Sequence, residues 1–375
     1  MTAASAHRAV DGVTVGVEEE FHLVDPAHRT LAADAERVLA GAVELGAELK
    51  PELQRTAVES ATPVCTTLDE LAGQIGGRRG DVLAAASRAG LRVLTAGTMP
   101  TTTGRAREAY PEPRYERMVT EYAEVGRQQL VCAVQVQVGV PDRDLGIGAL
   151  GWLAPWLPPL LALSSSSPYH DGVDTGYASY RTMLWSRWPT GGPPLPFASA
   201  AEYDSLVADL VGSGVITDPG MIYFDVRPSA RYPTLEVRVC DAAPLLDDAV
   251  TLAGLGRALV RVGLRQAAGA APPTARPRPE LVRAAQWRAA RSGLADVLVD
   301  PRQPRSLPAR EVVAALLEHV RPELEELGDW DRVAGGVDAI VRRGTSSDRQ
   351  RAVFERRRSL EDVVDALVEE TAAGL

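Results

Sequence analysis

Val13-Thr-Val-Gly-Val-Glu-Glu-Glu-Phe-His-Leu-Val24 alternates residue types with the two-residue period of a β-strand. One face carries Val13, Val15, Val17, Glu19, Phe21 and Leu23. The other carries Thr14, Gly16, Glu18, Glu20 and His22. Glu18 and Glu20 therefore stand side by side opposite a mostly apolar face, and they repel each other unless a cation or an arginine neutralises them.

Three further segments have the same two-faced design. Residues 130–140 set Val134, Val136, Val138 and Val140 against Ala133, Gln135, Gln137 and Gly139. Residues 221–227 separate Ile222, Phe224 and Val226 from Tyr223, Asp225 and Arg227, and residues 234–240 separate Leu235, Val237 and Val239 from Thr234, Glu236 and Arg238. Thr56 and Glu59 lie in a less regular stretch between them. A single polar face reads as the wet side of a half-exposed sheet. Four faces poor in Lys and Ser, but holding Glu, Arg and amides, offer the groups that bind hard cations and phosphates. A concave sheet lined in this way is expected to hold two or three Mg²⁺ ions.

Composition narrows the chemistry. The chain has 375 residues, 45% hydrophobic and 24% charged, with a net charge of −10. That is a globular, enzyme-sized composition, and its acidity speaks against a nucleic-acid surface. Lys50 is the only lysine among 40 Lys and Arg residues. No P-loop can be written without a second one, and Schiff-base chemistry would fall to Lys50 alone. Cys65, Cys132 and Cys240 are scattered, without a C-x-x-C pair, and read as buried free thiols. Residues 1–12 lack the apolar run of a signal peptide, and the greasy stretch 149–163 is too short and too broken by proline to span a bilayer. A cytoplasmic protein with no membrane or nucleic-acid partner is expected.

Residues 13–244 mix strand and helix signals, whereas residues 247–375 are mostly helical, with apolar steps of three and four over 248–266, 310–327 and 359–373. Thr345-Ser-Ser-Asp348 has the form of a capping box. The run 267–279, rich in Pro and Ala, reads as a loop. Strands and helices do not alternate as βαβ units, so the fold class expected is α+β with an antiparallel sheet, in one domain over 1–375.

Several of these motifs resemble the glutamate–cysteine ligase type 2 family. They are Gly16-Val-Glu-Glu-Glu-Phe-His-Leu-Val-Asp25, Val58-Glu-Ser-Ala-Thr-Pro-Val-Cys65, Ala96-Gly-Thr-Met-Pro100 and Asp174-Thr-Gly-Tyr-Ala-Ser-Tyr-Arg181 with Trp185. Asp218-Pro-Gly-Met221, Asp225-Val-Arg-Pro228, Pro233-Thr-Leu-Glu-Val-Arg-Val-Cys-Asp241, Trp287-Arg-Ala-Ala-Arg291 and Gly344-Thr-Ser-Ser-Asp-Arg-Gln350 follow in order. The resemblance implies a glutamine-synthetase-like fold, a curved antiparallel sheet lining an active-site funnel with flanking helices. It implies an ATP-dependent carboxylate–amine ligase that forms an amide through an acyl phosphate, with weak glutamate–cysteine ligase activity within its reach. It also suggests a homodimer.

By motif position the resemblance makes Glu18, Glu20, Glu59 and Glu236 ligands for Mg²⁺ or Mn²⁺, with Glu59 and Arg238 catalytic. Arg238 would meet the phosphoryl group of ATP. Arg181 and Arg227 are candidates for a clamp on a substrate carboxylate, while Tyr180 and Trp185 would wall the amino-acid pocket or pack in the core. Arg288 and Arg291 would lie over ATP or on a solvated face. Gln135 and Gln137 stand where the family carries two histidines, at positions that would contact nucleotide or metal. Glutamine is a weaker ligand than imidazole and never a cation. The alternative is therefore a non-catalytic homologue that binds nucleotide or amino acid.

Overall fold

A computed structural model describes residues 13–101, 107–271 and 277–375. The signal-peptide expectation for residues 1–12, and part of the expected loop 267–279, lie outside the described residues.

The opening stretch forms one long strand, β1 (Val15–Asp25), which ends where the Asp25 carboxylate accepts the backbone N–H groups of Ala27 and His28 and turns the chain. Around it assemble β2 (Thr30–Leu31), β3 (Lys50–Pro51), β4 (Ala57–Ala61), β5 (Arg92–Leu94) and β6 (Val134–Gly139). A small hairpin, β7 (Tyr169–His170) and β8 (Val173–Asp174), stands apart; β9 (Val226–Pro228) and β10 (Thr234–Val237) complete an eight-stranded sheet. Every pairing in that sheet is antiparallel, in the order β3-β4-β1-β6-β10-β9, with β2 and β5 on the far half of β1. The α+β class and the antiparallel sheet are as the sequence pattern predicts.

The apolar faces of β1, β6 and β10 press Val15, Val17, Val134, Val136, Val138, Leu235 and Val237 into the largest core cluster. Helix Leu246–Ala267 crosses beneath them and is buried along nearly its whole length. A Cβ on Gly254 would meet Val333 at 2.5 Å and Leu68 at 2.9 Å, so only glycine admits the neighbouring side chains there. Arg257, Arg261 and Arg265 follow at four-residue steps on the same helix. They pair with Asp329, with Glu323 and Glu326, and with Glu323 and Glu326 again, so the buried guanidinium charges are all matched.

Helices Ala309–Leu327 and Leu360–Ala372 occupy the stretches whose periodicity foretold them. The capping box closes as expected: Thr345 Oγ1 accepts from Asp348 N, and Asp348 accepts from Thr345 N, opening helix Ser346–Arg357. All three cysteines are free and buried. Against the expectation of a stretch too short and broken, helix runs on through the prolines, and the span Arg143–Ser164 is long and apolar enough to pass for a membrane segment; 78% of its apolar 18-residue window is buried inside the fold. Three expected strands are shorter than the sequence suggested: 130–140 pairs as a strand over Val134–Gly139, 234–240 over Thr234–Val237, and 221–227 only from Val226. In the last of these, Asp218 accepts from Gly220 N at 2.8 Å and caps a turn over Pro219–Met221, and pairing with β10 begins only at Val226.

Candidate active site

Register decides what the polar faces become. Glu18 lies opposite Gln135, Glu20 opposite Glu59, and Glu236 opposite both Gln137 and Arg227. Directly opposed residues on one face bring their Cβ atoms to about 5 Å, so the separate polar faces merge into one lining. With Trp185 and Arg238 they border a cavity of about 600 Å³.

Two residues that the sequence reading did not place in the site join them. Glu52 follows β3, and its carboxylate, with those of Glu20 and Glu59, offers oxygen atoms all within 4.8 Å of one another. Lys50 pairs with Glu59, its Nζ 3.2 Å from Oε1. The singular lysine was a visible signal; Glu52 had none, because it is placed by a strand of two residues.

The carboxylates differ sharply in their electrostatics. Burial raises Glu18 to about 7, with Glu59 and Glu236 adding to it and Lys50 and Arg238 opposing it. Burial also raises Glu20, against the pull of Arg181 and Arg238. Burial, Glu20 and Glu59 push Glu52 well above the usual range, and burial lifts Glu59 despite Lys50. Glu236 behaves in the opposite way. Burial pushes it up, but Arg238 and Arg227 overcome that and hold it at about 2. One side of the cavity is thus short of positive charge while the other is saturated.

The arginines explain the saturated side. Arg238 contacts both Glu236 and the side-chain oxygen of Gln135, and its guanidinium carbon lies 5.7 Å from the centre of the Trp185 ring. Arg227 forms a fork onto Glu236 at 3.1 and 3.3 Å and donates to the carbonyls of Gly220 and Ile222. A metal on Glu236, or a substrate carboxylate on Arg227, would require this pair to open.

Gln135 works as a coupler. Its Nε2 donates to Glu20 Oε1 at 2.6 Å, and its oxygen receives Arg238. Gln137 accepts from the Thr234 hydroxyl at 2.7 Å.

Four sequence candidates, Arg181, Tyr180, Arg288 and Arg291, lie outside this cavity. Arg181 is buried beside it, donating to the carbonyls of Arg238 and Val239 with Asp241 3.7 Å away, and it borders a second cavity of about 500 Å³. Tyr180 packs against His170 and Tyr177 and lines neither cavity. Trp287 borders the second cavity, Arg288 lies over the Trp287 ring, and Arg291 reaches the Gly176 carbonyl. Trp185 and Arg238 border both cavities.

Glu19, on the opposite face of β1, has a different task. Arg79 donates to both its oxygens, at 3.0 and 2.6 Å, and to the carbonyls of Ala243 and Pro244, all in the interior.

The fold is shared with glutamate–cysteine ligases of known structure. A structure of glutamate–cysteine ligase from Francisella tularensis in complex with AMP superposes with a TM-score of 0.72, at 11% identity, over 96% of this chain and 89% of that one. Residues 14–366 match the model of glutamate–cysteine ligase family 2, and the chain belongs to that family. A Frankia casuarinae protein carrying the provisional name glutamate–cysteine ligase 2-2 is 47% identical over 361 residues, 96% of this chain. The chain spans 41% of that relative's length. A Frankia alni protein with the same provisional name is 46% identical, the match covering 96% of this chain and 97% of the relative.

Proposed function

We propose that this protein is an ATP-dependent ligase that joins a carboxylate to an amine through an acyl phosphate, in the manner of glutamate–cysteine ligases. The observation that carries the proposal is the group Glu20, Glu52 and Glu59, oxygens within 4.8 Å, with Arg238 contacting the amide that couples to Glu20.

The donor set fits a divalent cation. Three carboxylates crowd one another, two of them buried, and Lys50 meets only one of them. Mg²⁺ or Mn²⁺ suits such oxygen ligands, and Glu18, Glu20, Glu52 and Glu59 would hold it. Bound there, a divalent ion supplies charge neutralisation for phosphate oxygens.

The remaining chemistry belongs to the chain. Phosphoryl transfer asks the protein mainly for position and for neutralisation of developing charge, so no nucleophilic Ser or Cys is needed. The substrate carboxylate attacks the terminal phosphorus of ATP, and ADP leaves. Arg238, fixed by Glu236 and Gln135, receives the negative charge of the transferring group. The amine then attacks the acyl carbon, phosphate departs, and the amide remains. Trp185, beneath Arg238, forms a wall of the substrate space. Arg227 acts by holding Glu236, and Arg181 by fixing the backbone at Arg238 and Val239.

The second reading is a non-catalytic binder of nucleotide or amino acid. It is supported by Gln135 and Gln137, both occupied within the protein at positions where the family carries histidine. ADP release by purified protein, across a panel of amino acids and amines with Mg²⁺ or Mn²⁺, separates the two. Release dependent on both acid and metal supports the ligase. Tight ATP binding with no release under any combination supports the binder.

A further inference from the structure

The register of β9 and β10 runs on one pair beyond the strands themselves. Glu236 lies opposite Arg227 and Val237 opposite Val226, so Asp225 falls opposite Arg238, whose backbone N–H donates to the Asp225 carbonyl at 2.7 Å. Directly opposed residues share a face and bring their Cβ atoms to about 5 Å, so the Asp225 carboxyl stands beside the Arg238 guanidinium. Asp225 borders the second cavity, of about 500 Å³, and not the glutamate-lined one. Trp185 and Arg238 border both, so the two spaces meet at Arg238.

The Asp225 carboxyl has an oxygen to spare. Its Oδ2 is buried and has no hydrogen-bond partner among the described residues, while Gln286, from helix Pro279–Ser292, hydrogen-bonds the carboxyl group. The neighbouring guanidiniums are engaged elsewhere: Arg238 pairs with Glu236, and Arg181 lies 3.7 Å from Asp241. Burial raises Asp225 to about 7, against the pull of Gln286, Arg181 and Arg238. Cys240 is close by with its thiol pushed up to about 12 by burial, and Glu280 and Arg283 border the cavity from the helix that carries Gln286.

Buried polar atoms are nearly always satisfied in folded proteins, so a carboxyl oxygen without a partner on a cavity wall calls for a donor from a ligand. Trp185, Tyr223 and Trp287 border the same space, and aromatic faces attract an ammonium. Amide formation has a matching need. An amine is protonated near neutral pH and has no lone pair for attack until that proton leaves. A base serves best when its proton affinity lies near the working pH.

We propose that Asp225 is the general base that takes a proton from the amine substrate, which approaches Arg238 through the second cavity. The proposal rests on the ligase reading above and adds a residue to its second half-reaction. The ammonium N–H bond breaks toward Asp225 Oδ2, leaving a neutral amine and a carboxylic acid. The nitrogen lone pair forms the C–N bond at the acyl carbon. The C–O bond to phosphate breaks with its electron pair on phosphate, and the second proton passes from nitrogen to the departing phosphate.

The test compares nucleophiles at fixed glutamate, ATP and Mg²⁺. Hydroxylamine is largely unprotonated at neutral pH and needs no base, whereas the amino groups of cysteine and 2-aminobutyrate are protonated and do. In the wild type the ratio of amide to hydroxamate should rise with pH up to about 7 and level off above it. Asp225→Asn should lower that ratio roughly a hundredfold at neutral pH, the usual worth of a general base. In the variant the ratio should go on climbing with pH until the amine itself ionises. Taking the ratio within one preparation discounts any loss of folded protein, and the wild-type profile decides the matter even where the variant does not fold.

A wild-type ratio that climbs steadily through neutrality, or does not change with pH, would overturn the base. So would an unchanged ratio in Asp225→Asn, or wild-type hydroxamate with no amide from either amine. Each of these leaves the ligase reading standing on its hydroxamate. A wild type that forms no hydroxamate removes the ligase reading and the base with it.

Discussion

Lys50 sets its ammonium 3.2 Å from Glu59 Oε1, and no other lysine exists in the chain. Its charge lowers the proton affinity of both Glu59 and Glu18. Lys50→Met should therefore leave more of both carboxyls protonated near neutral pH. Mn²⁺ affinity, followed by electron paramagnetic resonance, should fall several-fold near neutrality and recover as the pH rises. A uniform change at every pH would place Lys50 outside this charge balance.

The crowded carboxylates also make stability depend on pH. Glu18 is raised from 4.5 to about 7 in the folded protein, so the fold holds a proton that the unfolded chain releases. The resulting stabilisation is fully present below pH 4.5 and is lost as the pH rises through about 7, on the order of 3 kcal/mol. Mg²⁺ should therefore raise the melting temperature more above pH 7 than below it. His22 acts on the acid side. Burial lowers it from 6.5 to about 4, so its contribution is lost as the pH falls through that window. Thermal melts across pH, with and without Mg²⁺, test both slopes.

The Glu19–Arg79 pair predicts a purely structural phenotype. Arg79 is fully buried and Glu19 is 5% exposed, so truncating the arginine leaves an unmatched carboxylate in the core. Arg79→Ala should cost about 3–5 kcal/mol in urea unfolding. Mn²⁺ affinity of whatever remains folded should be unchanged, since Glu19 faces away from the cavity.

Gln135 is expected to matter for turnover more than for metal binding. Gln135→Ala removes the amide that joins Glu20 to Arg238, and kcat should fall by at least about tenfold while KM for ATP moves less. Gln135→His places there the residue type that the resemblance to the family implies, an imidazole that can also hydrogen-bond; it should support turnover better than alanine does. Equal activity of wild type and Gln135→Ala would leave the coupling without catalytic meaning.

How much of this was legible in the sequence follows from local physics. The alternation in β1, β6 and β10 was readable because a half-buried strand writes its two faces every second residue. Apart from Glu19, the glutamates and glutamines of those strands do face one cavity. Register made the site, and register is not local; nothing in residues 50–52 announces that β3 will carry Lys50 and Glu52 beside Glu59. The stretch 221–227 alternates like a strand but contains no signal that Asp218 will divert it into a turn. Glu19 broke the apolar face of β1 without any visible partner, because Arg79 comes from a helix sixty residues away. Arg181 and Arg227 resembled carboxylate clamps by type, and only their contacts reveal that carbonyls and Glu236 already occupy them.

The most direct test of the central claim is trapping of the acyl phosphate with hydroxylamine, using ATP, Mg²⁺ and a panel of amino-acid carboxylates. Hydroxamate should form with a side-chain dicarboxylic acid, require the metal, and drop at least about a hundredfold in Glu20→Gln. Hydroxamate formation that Glu20→Gln leaves intact, or none from any acid in the wild type, would contradict it.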